Sequence, residues 1–257
     1  MSKNNMILEK IILEYKEKED LETPLKSFKL HKKLNNEVWN GSKIKQEIQK
    51  RLLEIADDFY SDIKSDHGID YQDVILTGSL ANYNFSSYSD FDLHIMLDFT
   101  KISTDFKLVK RYFDSLRKIW NDNHDITILN FDVEVYLQDI NEEHKSSGIY
   151  SILNNEWVVK PSPFEDVIDI DAVRIKSKDY ISDIEDVEVN LDELSYEEFN
   201  EQINRVWDKI KKGRQAGLET DGELSVENIV FKLLRRNGAI TKIIEMKSKK
   251  YDEFMSM

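Results

Sequence analysis

At 257 residues, 40% of them apolar and 33% charged, the chain has room for one large domain or two modest ones and the composition of a globular protein, not a disordered one. Its formal net charge of −14 disfavours a long nucleic acid as partner, because an acidic surface repels a phosphate backbone unless basic residues gather on one face. Cysteine is absent, which excludes disulfides, thiolate metal sites and a cysteine nucleophile and fits a cytoplasmic setting; no apolar run approaches the roughly 20 residues that span a bilayer, so no membrane partner is expected.

Along the chain, Ile7, Leu8, Ile11, Ile12 and Tyr15 recur at helical spacing, so residues 1–30 are expected to form an N-terminal helical arm. Acids interrupt that patch and no small-residue cleavage site follows, which argues against a secretory signal or an anchor. A longer helix is expected after Ser42 as its N-cap, with Ile44, Ile48, Leu52, Ile55, Phe59 and Ile63 as one apolar stripe and His67-Gly68 as its end. Asp73–Thr77 is a short apolar run ending at Gly78 and predicts a buried strand. After a loop, Phe91–Phe99 predicts a second strand, and Phe106, Val109, Phe113, Leu116 and Trp120 mark another helix. Ile126–Ile128 and Phe131–Leu137 predict a hairpin turning at Leu129-Asn130. The following Glu143–Ser151 has the character of a polar loop before a helix.

That order predicts an α+β fold, a small mixed sheet with helices on one side, over residues 31–162. Pro161 and Pro163 mark its end. Residues 163–257 are expected to hold an acidic connector (Glu165–Glu198 is rich in acids) and a C-terminal helical subdomain. There Ser195-x-x-Glu198 is a capping box opening a helix that ends near Gly213, and Ser225 caps a last helix, Val226–Asn237, with Gly238 past its end. Trp39, Trp120 and Trp207 are expected as core anchors.

The chemistry concentrates between Val74 and Leu97. Carboxylates at i and i+2 of a strand point to one face, and Asp90 and Asp92 have that spacing. A third acid from a neighbouring strand would complete an oxygen cage for hard divalent ions, of which two about 4 Å apart serve phosphoryl transfer. The strand Phe131–Tyr136 offers Glu134 in mid-strand, with Asp132 in reserve beside the turn. Gly78-Ser79 ends the first strand, where glycine lets backbone N–H groups approach an anion and serine adds a hydroxyl, especially if Ser79 begins a helix.

These words, LTGSLANYNFSSYSDFDLHIML and FDVEVYLQD above all, resemble the DNA polymerase β-like nucleotidyltransferase superfamily, and most closely the predicted nucleotidyltransferases of tailed bacteriophages. The likeness runs from about Leu30 onward and is densest from Leu76 to Pro161. It implies that Asp90 and Asp92 bind both metals (Mg²⁺ or Mn²⁺). Glu134 or Asp132 would hold the catalytic metal and help deprotonate a hydroxyl acceptor, while Gly78 and Ser79 hold the triphosphate of an NTP. It leaves the acceptor open: a small molecule, a protein or an RNA end, met in the host cytoplasm. The alternative is a non-catalytic nucleotide-binding or phage structural protein that reuses the fold.

Four further residues are candidates for the nucleotide. Ser147 and Tyr150 would line its pocket, with Tyr150 stacking on a base, and Lys232 and Arg235 would clamp phosphate from the last helix; a polar loop and a solvated charged face are the plainer accounts. His94 shares the parity of the two aspartates and is expected as a hydrogen-bonded strand residue beyond the metal site. The five histidines show no zinc spacing and no G-x-S-x-G elbow is present.

Overall fold

The computed structural model describes residues 21–143, 146–165 and 167–256; the helix expected over Met6–Tyr15 lies outside them. The described residues divide into two compact units, one of residues 29–165 and one that joins residues 21–28 to residues 167–256. Among the described residues no helix is long and apolar enough to cross a membrane.

The first unit is α+β. It opens with a two-stranded hairpin, β1 (Trp39–Asn40) and β2 (Lys43–Ile44), followed by helix α1 (Gln46–His67). Ser42 is therefore not the N-cap expected for this helix. It sits in the hairpin turn, where its carbonyl accepts from Trp157 Nε1 at 2.7 Å, and Lys45 takes the N-cap position. The stripe Ile48, Leu52, Ile55, Phe59 and Ile63 is buried, and Gly68 closes the helix in the left-handed conformation.

A six-stranded mixed sheet follows, built from β3 (Asp73–Thr77), β4 (Phe91–Leu97), β5 (Thr127–Ile128), β6 (Phe131–Asp139), β7 (Ile149–Ser151) and β8 (Glu156–Val159), in the order β5-β6-β4-β3-β7-β8. Helix α2 (Phe106–Asn123) connects β4 to the β5–β6 hairpin, so β4 and β6 run parallel while the other neighbours are antiparallel. Leu129 (φ 55°) and Asn130 (φ 64°) turn that hairpin with two left-handed residues, the geometry of a type I′ turn. Two strands, β7 and β8, stand where a loop and a helix were expected.

Alternation sorts the two faces. Val74, Leu76, Phe91, Leu93, Val133, Val135 and Tyr150 are buried in one core with Leu52, Phe59 and Phe113 of the helices. Asp92, His94, Glu134, Tyr136 and Gln138 take the other parity, on the opposite face. Asn121 of α2 donates from Nδ2 to the Val135 carbonyl and accepts from the Val135 N–H at Oδ1, both at 3.2 Å, on the margin of β6. A carboxamide thus takes the place of a further strand. Phe106, placed on the apolar face by periodicity, is 47% exposed, because Asp105 caps the helix and leaves it in the first turn.

Asp73 at the start of β3 accepts from Ser151 Oγ at 2.8 Å and from the Val74 N–H at 2.7 Å. Burial pushes its carboxyl above the ordinary value, and these bonds only partly offset that. Folding therefore disfavours its ionised form, and stability falls as pH rises past the ordinary carboxylate value. Asp73→Asn keeps the acceptor oxygen, so it is expected to melt at or above the wild-type temperature at neutral pH. The difference should shrink toward about pH 4 in melts across a pH series.

The second unit is helical: α3 (Ile170–Val189), α4 (Tyr196–Thr220), α5 (Val226–Arg236) and α6 (Ala239–Met255). Leu21 and Leu25 belong to its core, so the described part of the expected arm packs with these helices. The expected acidic connector is the 20-residue helix α3, which buries Val173, Ser177, Tyr180, Ile184 and Val187 and turns its acids outward. The capping box of Ser195 and Glu198 opens α4, which runs past Gly213 to Thr220, and Ser225 caps α5. A further helix, α6, follows Gly238 where none was expected.

Candidate metal centre

The site forms where β3, β4 and β6 lie side by side. The register pairs Thr77 with Asp92 and Asp92 with Glu134 across the three strands, so the two carboxylates stand on neighbouring strands at the same height. Asp90 sits just before β4, on the same face. One carboxylate oxygen each from Asp90, Asp92 and Glu134 lies within 4.8 Å of the others, all three residues half-buried. Such a set suits a hard divalent cation. Asp132 does not join. It is exposed at the hairpin, opposite Thr127, and the third carboxylate of the group is that of Glu134.

Gly78 ends β3 at φ 76° and ψ −164°, a conformation open to glycine. A Cβ there would lie 1.9 Å from Asp92 Oδ2, so the missing side chain also makes room for the Asp92 carboxylate. Ser79 begins only a single turn of 3₁₀ helix, Ser79–Ala81, too short to present the helix end that was expected. Its hydroxyl instead meets Ser89 Oγ at 2.6 Å, and Ser89 Oγ accepts from the Ser86 N–H at 2.9 Å. Buried Ser89, next to Asp90, therefore ties the glycine–serine turn to the carboxylate pair. Sequence reasoning passed over it; its adjacency to Asp90 was the only signal. Two contacts fix the turn from behind: Trp39 Nε1 donates to the Leu80 carbonyl at 2.8 Å, and Gly148 lies so close that a Cβ would be 2.2 Å from the Ala81 carbonyl oxygen.

On the same face, next along the strands, Tyr136 donates its hydroxyl hydrogen bond to Glu134 Oε2. Burial first, then that bond, pushes the phenol above its ordinary value, so it remains a donor. His94 stacks on its ring at 4.7 Å and donates from Nδ1 to Gln138 Oε1 at 2.8 Å, the hydrogen-bonded strand role expected for it. A hollow of about 370 Å³ lies there, lined among others by Thr77, His94, Tyr136, Gln138, Asp114 and Glu142.

Four candidates remain, Tyr150, Ser147, Lys232 and Arg235. Tyr150 is fully buried in the helix-side core between Trp39 and Trp157, with its hydroxyl at 3.5 Å from the Ile44 N–H, and it has no free face for a base. Its register partner is Leu76, one position before Thr77, and a shift of one residue means the opposite face of the sheet. Ser147 is exposed and accepts from Asn82 Nδ2 at 2.6 Å, beside the end of the 3₁₀ turn. Lys232 and Arg235 belong to the helical unit. Arg235 is exposed, but Lys232 is half-buried, not solvated: burial pushes its ammonium down, Glu223 opposes that, and Arg236, Arg214 and Arg235 add to it.

Comparison with protein-family models, with curated proteins and with solved structures gave no match.

Proposed function

We propose that the chain is a metal-dependent nucleotidyltransferase of the DNA polymerase β-like class, moving a nucleoside monophosphate from an NTP to a hydroxyl acceptor with release of pyrophosphate. One observation carries this reading: three carboxylates converge within 4.8 Å on one face of a mixed sheet, against a turn where only glycine fits. Bound divalent cations (Mg²⁺ or Mn²⁺) would neutralise the triphosphate and acidify the acceptor hydroxyl. The chain's own residues do the positioning. Asp90 and Asp92 would hold the ions, and Glu134 would share in holding one of them and would draw the proton of the acceptor hydroxyl. Gly78 and Ser79 offer an N–H and a hydroxyl to the triphosphate. The acceptor oxygen bonds to the α-phosphorus as the bond to the β-phosphate oxygen breaks, and the electron pair leaves with pyrophosphate. The hollow beyond Tyr136 gives an acceptor room on the same face.

Calorimetry with each of the four NTPs and Mn²⁺ tests the reading. Binding is expected with metal and lost with EDTA and in the Asp90→Ala/Asp92→Ala double variant. Equal affinity in all three conditions sinks it. Label from the α-phosphate, followed in cell extract, then identifies the acceptor.

A further inference from the structure

We infer that Tyr136 is the positioning residue of this centre, bracing the Glu134 carboxylate so that its free oxygen closes the set with Asp90 and Asp92. The inference rests on the metal-centre reading and deepens it. Glu134 has one more rotatable bond than either aspartate, so of the three ligands it most needs an external brace. Residues 134 and 136 point to one face of β6, and the Tyr136 hydroxyl donates to Glu134 Oε2, leaving Oε1 for an ion.

The brace is itself held. His94 stacks on the ring at 4.7 Å and 15°, and Gln138 fixes that imidazole at 2.8 Å. The Arg117 guanidinium carbon lies 4.8 Å from the ring centroid, drawn to its π face. Three side chains, from two strands and a helix, therefore set the direction of one hydroxyl. A solvated strand tyrosine needs none of them. Partners that orient a metal ligand are typically worth about 10- to 100-fold in metal affinity.

The test is Mn²⁺ calorimetry on the full chain in wild type, Tyr136→Phe, Glu134→Gln and the double variant, with a thermal melt and the electron paramagnetic resonance spectrum of bound Mn²⁺ for each. Phenylalanine keeps the ring and its stacking. Tyr136→Phe is expected to weaken Mn²⁺ about tenfold and alter the bound-ion spectrum, with the melt close to wild type. In the Glu134→Gln background it should cost nothing more, because the oxygen it oriented is no longer an anionic ligand. Unchanged affinity in Tyr136→Phe overturns the inference, and so does an equal loss in both backgrounds, the mark of a merely structural role. A wild-type chain that binds no Mn²⁺, or a Glu134→Gln variant that binds as tightly, removes the metal-centre reading itself and this inference with it.

Discussion

Gly78→Ala is expected to lose divalent-ion binding, and any turnover with it, while the chain stays folded. The new methyl carbon would stand 1.9 Å from Asp92 Oδ2 and 3.0 Å from its Cγ, and no shift of a few tenths of an ångström relieves that. Asp92 must swing out of the set, because the backbone at Gly78 is held by its neighbours in β3 and by the turn behind it. The alanine also inherits φ 76°, a conformation that costs about 1–3 kcal/mol for a residue with a side chain. At roughly 2–4 °C per kcal/mol for a protein of this size, melting should fall by some degrees and not vanish. Mn²⁺ titration beside a thermal melt separates the two effects. An alanine variant that binds Mn²⁺ like wild type would mean that Asp92 takes no part.

Asp92→Asn is expected to act with opposite signs on stability and activity. Three carboxylates within 4.8 Å repel one another in the absence of a cation, so neutralising the middle one should raise the melting temperature in EDTA. In wild type, Mg²⁺ at about 100 times its Kd is expected to add about 2.7 kcal/mol of stability. In the variant that increment should disappear, and the proposed nucleotidyl transfer should drop by more than the roughly 100-fold that losing a mere supporting partner costs. A melt that falls in EDTA and still rises with Mg²⁺ would show that Asp92 has a structural role instead.

How much of this was legible beforehand differs by element. Period-2 alternation in Asp90–Leu97 and Phe131–Leu137 gave both strands and the face of each acid, because side-chain parity is local and survives any change of neighbours. It put Glu134 and Asp132 on one face, and position along the strand favoured Glu134, since Asp132 stands beside the hairpin turn opposite Thr127. Tyr150 went astray for the converse reason. Within Ile149–Ser151 all three residues are buried, so no alternation marks a face, and only the pairing with Leu76 shows where the ring points. Composition misled in the second unit. The acids of α3 suggested a connector, yet Val173, Ser177, Tyr180, Ile184 and Val187 recur at helical spacing beneath them. Lys232 was assigned by periodicity to the wet face of α5, but Arg214 docks there, its Nε 3.1 Å from Asn228 Oδ1 and its guanidinium 4.1 Å from the Phe231 ring, a tertiary contact no single helix announces.

The Asn121 carboxamide bears on dynamics as well as on topology. Segments at the rim of a sheet ordinarily open first and exchange their amide hydrogens fastest. Val135 lies at such a rim, one residue from Glu134, yet its N–H and carbonyl are both engaged by a single side chain of α2. The strand that bears the third carboxylate is thereby insulated from fraying, and the lifetime of the Val135 amide proton should report on the docking of a helix, not on the pairing of strands.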